Sequence, residues 1–282
     1  MTLKQALEQA RTTLTRQAIE DAPLEAELLL RHTLKINRTQ LYLDLENELN
    51  PEDEEAYQAL IKRRLSGEPS AYITGHREFY GRDFQVNHHT LIPRPESELL
   101  VERALSLMHD QRILTIADIG TGCGAIAVSL ALELPQAKIY ATDLSAKALE
   151  LASLNCQKYG VSNRVILLPG DMLEPLPEKM DLIVANLPYV RRDEIAPDSF
   201  EPLIALDGGA QGTESITRLC RQARGRLKDD ASMLLEIGQG QSGLIRRLLH
   251  HLFPNGTIET FKDLGGIERV VSLNFSRARV AP

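Results

Sequence analysis

Seven short apolar runs alternating with helical stretches predict an α/β fold: a mostly parallel, doubly wound sheet with helices on both faces, preceded by a small helical bundle. Three observations carry this reading. The alternation persists from residue 113 to 275, a glycine-rich turn joins the first run to its helix, and residues 1 to 70 show helical periodicity with little that looks like a strand. At 282 residues the chain has room for one large and one smaller domain, and its 43% hydrophobic and 25% charged content is that of an ordinary globular protein.

Taken in order, Thr2 with Gln5 fits a capping box ahead of Leu3, Leu7, Ala10 and Leu14, which share one helical face. A second helix is expected to start near Asp21 and Pro23 and to carry Leu24, Leu28 and Leu29. Asn37 can cap a short third around Leu41, and Asn50-Pro51 opens a fourth through Ala56, Leu60 and Ile61 that stops at Ser66-Gly67. Residues 1 to 70 hold 9 Lys and Arg against 13 Asp and Glu, so the bundle is acidic.

From Ala71 the pattern changes. EFYGRDFQV, residues 78 to 86, reads as a hairpin about Gly81-Arg82-Asp83, and LIPRPESELLVERAL supplies a proline-punctuated loop and a helix. The seven runs follow: ILTIAD, KIYATD, RVILLPGD, DLIVAN, SMLLEIG, TIETFKD and RVVSLNF. Only DLGGIE joins the last two. No crossover helix fits there, so these strands should pair antiparallel at the end of the sheet. The boundaries expected are a helical domain over 1–70, a linking hairpin over 71–90 and the sheet domain over 91–282.

Four segments at the ends of consecutive strands point to one ligand site. Asp118-Ile119-Gly120-Thr121-Gly122-Cys123-Gly124 lies between a strand and a helix, where glycines allow a tight turn and a close approach of backbone N–H groups to a ligand. The spacing GxGxG departs from the GxGxxG of dinucleotide binders. About 20 residues on, Asp143 stands where a ribose diol would sit. Gly170-Asp171-Met172 ends the third strand; Asp171 can accept from an adenine amino group while Met172 packs on the base, although core packing explains Met172 equally well. Asn186-Leu187-Pro188-Tyr189 ends the fourth. Alone that tetrapeptide is an ordinary turn. In a doubly wound sheet, however, the ends of strands one to four line one crevice, so the segments converge.

In that order the four segments resemble a class I, Rossmann-like S-adenosylmethionine-dependent methyltransferase acting on a planar amide or amino nitrogen. YITGHREFYGRDFQV (72–86) and LIPRPESELLVE (91–102) closely resemble the PrmC/HemK family, protein-(glutamine-N5) methyltransferases of peptide chain release factors, and the resemblance runs over nearly the whole chain. It implies S-adenosyl-L-methionine as donor and S-adenosyl-L-homocysteine as product. It implies that Gly120, Thr121, Gly122, Cys123 and Gly124 contact the methionine and ribose parts, Asp143 the ribose hydroxyls, Asp171 and Met172 the adenine region, and that the glutamine of the Gly-Gly-Gln loop is held by Asn186 to Tyr189. Asn186 also borders the cofactor, and the helical domain would recognise the release factor. The chain departs from the family at Leu187, where most members have a second proline.

The residue types suit that chemistry. A glutamine amide is a poor nucleophile because its lone pair is delocalised, so the site must position it rather than ionise it. The Asn186 side-chain oxygen and the Leu187 carbonyl can each accept one N–H, Pro188 fixes φ, and Tyr189 offers a ring face for stacking. Leu187 acts through its backbone, so its substitution bears on loop stiffness. Arg94 and Glu96 can shape the site entrance or form an ion pair that anchors the loop, and Glu98 can cap or face solvent. Glu236-Ile237-Gly238-Gln239-Gly240 reads as a turn near the pocket.

Other classes are disfavoured. An adenine-N6 nucleic-acid methyltransferase would use the same tetrapeptide on a flipped base, but the net charge of -7 and the small acidic bundle argue against nucleic acid as substrate. Glycine spacing disfavours an NAD-dependent oxidoreductase, and the intact glycines, acidic residues and Asn186 disfavour a non-catalytic module docking on the translation machinery. Cys123, Cys156 and Cys220 are widely spaced, and His76, His88 and His89 lack a ligand arrangement, so neither disulfides nor a metal is expected. With no leader-like N-terminus and no run of about 18 uncharged apolar residues, a cytoplasmic protein without a membrane span is expected, acting as a monomer.

Overall fold

Residues 1–107 and 114–275 are described by the computed structural model, in which the chain divides between His76 and Arg77 into two units. That division falls inside the 71–90 segment. Ile113, the first residue of the ILTIAD run, and the last seven residues of the 91–282 range lie outside the described residues.

The first unit is built of helices α1 (Leu3–Arg16), α2 (Ala22–Leu34), α3 (Arg38–Leu43), α4 (Pro51–Leu65) and α5 (Ser70–Thr74). The capping box forms: Gln5 N donates to Thr2 Oγ1 at 3.2 Å and Thr2 N to Gln5 Oε1 at 2.9 Å. Asn37 and Asn50 cap α3 and α4 through their side chains. Helix α2 starts without a side-chain cap, because Asp21 adopts a left-handed conformation. Its buried stripe is Ala22, Ala26, Leu29 and Leu30 rather than one that includes Leu24, which is 56% exposed. On α4 the buried residues are Tyr57 and Ile61 while Ala56 is exposed. The Tyr57 ring is fully buried in the bundle and its hydroxyl donates to the Ala26 carbonyl at 3.0 Å, so it joins Ile61 and the partly buried Leu60 in the place expected of Ala56. Helix α5 was not legible as a helix, since Pro69 follows a stop signal, yet it serves there as the cap residue of a new start.

Strands β1 (His76–Phe79) and β2 (Arg82–Gln85) form the hairpin. Its two turn residues, Tyr80 and Gly81, both have positive φ, at 51° and 67°, the conformation that matches strand twist in two-residue hairpins. Tyr80 carries the strain of a left-handed non-glycine, and its N–H is held by the Glu98 carboxylate at 2.8 Å. Glu98 therefore clamps the hairpin.

The second unit continues through α6 (Glu98–Leu107), β3 (Thr115–Ile119), α7 (Ala125–Glu133), β4 (Lys138–Asp143), α8 (Ala146–Lys158), β5 (Val165–Pro169), β6 (Met180–Ala185), α9 (Leu203–Leu206), α10 (Glu214–Gln222), β7 (Leu227–Glu236), α11 (Ser242–Leu252), β8 (Thr257–Lys262) and β9 (Glu268–Asn274). The seven-stranded sheet has the order β5-β4-β3-β6-β7-β9-β8. Its strands are parallel except for β9, which pairs antiparallel with β7 and β8, as the short DLGGIE connection requires. Strands β3 and β6 are buried at every position, which is what burial between two helical layers demands.

Register places the site. Ile119 pairs with Thr142 and with Ala185, and Asp143 pairs with Pro169, so four strands end level with one another. The order reverses between β3 and β6, which opens the crevice where ligands bind in such sheets. Across the next pairing, Ala185 lies opposite Leu235, which brings Asn186 beside Glu236.

Candidate functional site

A cavity of about 460 Å³ lies at these strand ends, in the size range of small-molecule sites. Its lining includes Gly120, Thr121, Gly122 and Cys123 from the loop after β3, Asp143 from β4, Asp171 and Met172 after β5, and Asn186, Leu187 and Pro188 after β6. Phe79 of the hairpin and Leu91, Pro93 and Ser97 of the proline-punctuated loop complete one wall, and Leu203 and Ile204 of α9 stand at the exposed rim.

The glycine loop is held by backbone and by carboxylates. Gly120 N and Thr121 N both donate to the Thr142 carbonyl, at 2.9 and 3.0 Å. Gly120 has φ of 72°, and a Cβ there would sit 3.1 Å from Leu187 Cδ2, so the loop's first glycine is dictated both by conformation and by the Leu187 side chain packed over it. Gly124 ends the turn and caps α7, its missing side chain making room for Ala152. Buried Asp118 accepts from Thr121 Oγ1 at 2.6 Å and from Ala127 N at 3.1 Å, which ties the strand end to the first turn of α7. Burial pushes its carboxyl up to about 6. Cys123 is buried and its thiol is pushed up to about 12, so it lines the cavity as a small protonated apolar group.

Asp143 accepts from Gly122 N at 2.9 Å through one oxygen and from Ser145 N at 2.8 Å through the other. It thus braces the glycine loop while each oxygen keeps a further lone pair for a ligand's hydroxyls. Asp171 pairs through Oδ2 with Arg218 at 2.8 Å. Its Oδ1 is buried without a hydrogen-bond partner, and the residue lines the cavity. Met172 adopts a positive φ of 50°, is 6% exposed, belongs to the main core cluster and also lines the cavity. These features fit an adenosine-containing ligand: a glycine-lined turn, a carboxylate at the diol position, and a further acceptor beside a thioether.

At the fourth strand end, Asn186 Nδ2 donates to Ser97 Oγ at 2.9 Å. Leu187 is buried and packs into the core cluster and over Gly120. A leucine in place of a proline therefore couples this loop to the glycine turn by packing. Tyr189 does not line the cavity. Its hydroxyl donates to Glu236 Oε1 at 3.2 Å and its carbonyl accepts from Gln241 Nε2 at 2.9 Å, so its ring anchors the loop from the core side and is not presented as a stacking face. Burial and the neighbouring Glu236 carboxylate push the Tyr189 phenol up, so it stays protonated.

Arg94 pairs with Glu201, whose other oxygen accepts from Ile92 N at 3.0 Å; the pair ties the proline-punctuated loop to the segment before α9. Glu96 makes no bond to the cavity lining, and the rings of His88 and His89 lie 3.9 Å apart. No group of three metal-ligating side chains occurs among the described residues, and no described helix is long and apolar enough to cross a membrane. Sequence reasoning missed Ser97, Arg218 and Gln241, and read Glu236 only as part of a turn near the pocket. Each acts on a residue far away in the chain; only the position of Glu236 at a strand end next to Asn186's own strand could have signalled a role.

Comparison with known proteins bears on the same segments. Residues 5–75 match the PrmC N-terminal domain and residues 95–210 the Methyltransferase small domain. The chain is 40% identical over 274 residues to the release factor glutamine methyltransferase of Moorella thermoacetica, covering 95% of this chain and 97% of that one. It is 41% identical over 253 residues to the protein of the same description from Bordetella pertussis, covering 88% and 93%. Among solved structures, the ribosomal protein L11 methylase of Lactobacillus delbrueckii subsp. bulgaricus aligns with a TM-score of 0.52 at 18% identity, over 71% of this chain and 90% of that one, which shows a common fold.

Proposed function

The chain belongs to the release factor glutamine methyltransferase family, and from that premise we propose that it transfers a methyl group from S-adenosyl-L-methionine to the side-chain nitrogen of the Gly-Gly-Gln glutamine of peptide chain release factors, in the cytoplasm. The observation that carries the reading is the orientation of Asn186, which lines the cavity: one N–H of its NH2 is given to Ser97, and its Oδ1 is in this reading the acceptor for the substrate amide.

S-adenosyl-L-methionine, when bound, supplies an electrophilic methyl group on a positively charged sulfur. Gly120 to Gly124 and Asp143 would hold it, with Asp171 and Met172 at the adenine end. Asn186 Oδ1 and the Leu187 carbonyl would each accept one N–H of the glutamine amide, orienting the nitrogen lone pair outward from both acceptors. Transfer would form the N–CH3 bond as the methyl–sulfur bond breaks, its electron pair returning to the neutral sulfur of S-adenosyl-L-homocysteine; positive charge would then grow on the two N–H groups, and Asn186 Oδ1 and the Leu187 carbonyl would stabilise it more strongly than they do the neutral amide. No acid is needed, and the surplus proton would leave the nitrogen for solvent after the bond is made. Leu187 and Tyr189 keep the two acceptors in place, the first by packing on Gly120 and the second by its bonds to Glu236 and Gln241.

Residues 1–70 serve in this reading as the release-factor recognition domain, 71–90 as the linker and 91–282 as the catalytic domain. Support for the first is the match of residues 5–75 to the PrmC N-terminal domain. Incubation with S-adenosyl-L-methionine and unmodified release factor, followed by tandem mass spectrometry, tests the whole. A single methyl group on the Gly-Gly-Gln glutamine is expected; methylation confined to any other residue, or to nucleic acid, overturns the substrate.

A further inference from the structure

An amide side chain presents an acceptor at one end and a donor at the other, and only its neighbours decide which end faces a substrate. Asn186 bonds through Nδ2 to Ser97 Oγ, so the Ser97 hydroxyl acts there as an acceptor and its own proton must go elsewhere. Buried Glu236 stands next to it: burial raises its carboxyl to about 7, and the Ser97 hydroxyl opposes that rise. Glu236 Oε1 accepts from Tyr189, whereas Oε2 is buried and has no hydrogen-bond partner, so the unspent proton of Ser97 and the unspent lone pairs of Oε2 belong to neighbouring groups. The other charges that bear on this carboxyl are Arg269 of β9, which favours its ionised form, and Glu96, which opposes it.

We propose that Glu236 is a positioning residue that sets the polarity of Asn186 through Ser97: in its ionised form the carboxylate can only accept, so it draws the Ser97 proton, makes Ser97 an acceptor toward Asn186, and thereby turns Asn186 Oδ1 toward the amide to be methylated. This rests on the proposed reaction. The register of the sheet builds it in, because Asn186 and Glu236 each follow one member of the Ala185–Leu235 pair. Neither Glu236 nor Ser97 touches reacting atoms in this arrangement.

Glu236→Gln is the discriminating substitution, since it changes one oxygen into an NH2 at nearly constant volume. Tyr189 still finds an oxygen at the Oε1 position, which leaves the new NH2 at the Oε2 position, facing Ser97. Ser97 then accepts from Gln and donates to Asn186, which turns its NH2 toward the substrate, where two donors now oppose each other. Removing Ser97 cuts this relay.

The test is the kinetics of release-factor methylation at pH 8, where Glu236 is ionised, by the full chain as wild type, Glu236→Gln, Ser97→Ala and the double variant, with calorimetry against S-adenosyl-L-homocysteine. Glu236→Gln should lower kcat on the order of 100-fold, the cost of losing one oriented hydrogen bond in the transition state. Ser97→Ala should lower it about 10-fold by removing the preference without reversing it. The double variant should match Ser97→Ala alone, so that losing the hydroxyl rescues Glu236→Gln. Affinity for S-adenosyl-L-homocysteine should stay within about twofold throughout, which is the uniform binding a positioning role leaves untouched. A kcat within about twofold of wild type in either single variant overturns the inference, as does a double variant that multiplies the two losses. Wild-type protein that methylates no release factor sinks the proposed reaction instead, and this inference with it.

Discussion

The proposed donor half of the site and its proposed acceptor half are built in opposite ways. Around the glycine loop the hydrogen bonds join near neighbours in the chain: Asp118 to Thr121 spans 3 residues, Asp118 to Ala127 spans 9 and Asp143 to Gly122 spans 21. Around Asn186 they span the whole domain: 89 residues to Ser97, 47 from Tyr189 to Glu236 and 52 from Tyr189 to Gln241. A turn made of backbone amides can be specified locally, because glycine φ values and one carboxylate suffice. A side-chain amide that must show one particular end to its substrate needs neighbours on several sides, and in a parallel sheet those come from distant strands.

Breaking the acceptor half at its tip gives the largest effect. Asn186→Ala should lower kcat by roughly 100- to 1000-fold while S-adenosyl-L-homocysteine still binds with near wild-type affinity, measured by calorimetry; a parallel loss of both would mean that the two halves are not separable. The next concerns stability. Burial raises the Glu236 carboxyl from an ordinary 4.5 to about 7, which corresponds to on the order of 3 kcal/mol. The raised value means that the folded state binds this proton more tightly than the unfolded state. The contribution is therefore fully present below about pH 4.5 and is lost as pH rises through 7. Glu236→Gln should recover part of it, raising the melting temperature at pH 8 but not at pH 4, as differential scanning calorimetry would show.

On the donor side, Asp143→Ala should weaken cofactor binding by roughly 10- to 100-fold, as loss of a charged acceptor implies, with kcat at saturating cofactor changed little. A fall in kcat alone would place Asp143 with the acceptor half. Gly120→Ala tests the seam between the halves. The left-handed φ and the 3.1 Å approach to Leu187 should together cost about 1–3 kcal/mol of stability, seen in urea denaturation, and Leu187→Ala should relieve the steric part but not the backbone part. The smallest effect is expected for Arg94→Ala. Its guanidinium is 41% exposed, and a pair of that kind contributes up to about 1 kcal/mol, so methylation should fall only a fewfold.

The same contrast explains what could be read in advance. The seven runs, the antiparallel end of the sheet and the four convergent loops were legible because strand periodicity, connection length and turn residues are local properties. The capping residues Thr2, Asn37 and Asn50 were legible for the same reason. The exposed Leu24, the buried Tyr57 and helix α5 were not, since which apolar residue fills a bundle depends on the facing helices. At the site, Gly120 to Gly124 and Asp143 stood out by spacing, whereas Ser97 looked like one more loop serine and Glu236 like the end of a strand.

Residue order alone determined the fold class, the level strand ends that form the crevice, and the segments Gly120–Cys123, Asp143, Asp171–Met172 and Asn186–Pro188 that meet there. Tertiary structure alone decided that Tyr189 turns away from the cavity, that Leu187 packs on Gly120, that Asp171 shares itself with Arg218, and which end of Asn186 bonds to Ser97. The physical reason is the reach of the interactions. Backbone conformation is set within a few residues, but the direction of a side-chain hydrogen bond is set by whatever partner the packed sheet brings alongside it, here Ser97 and, one strand over, Glu236.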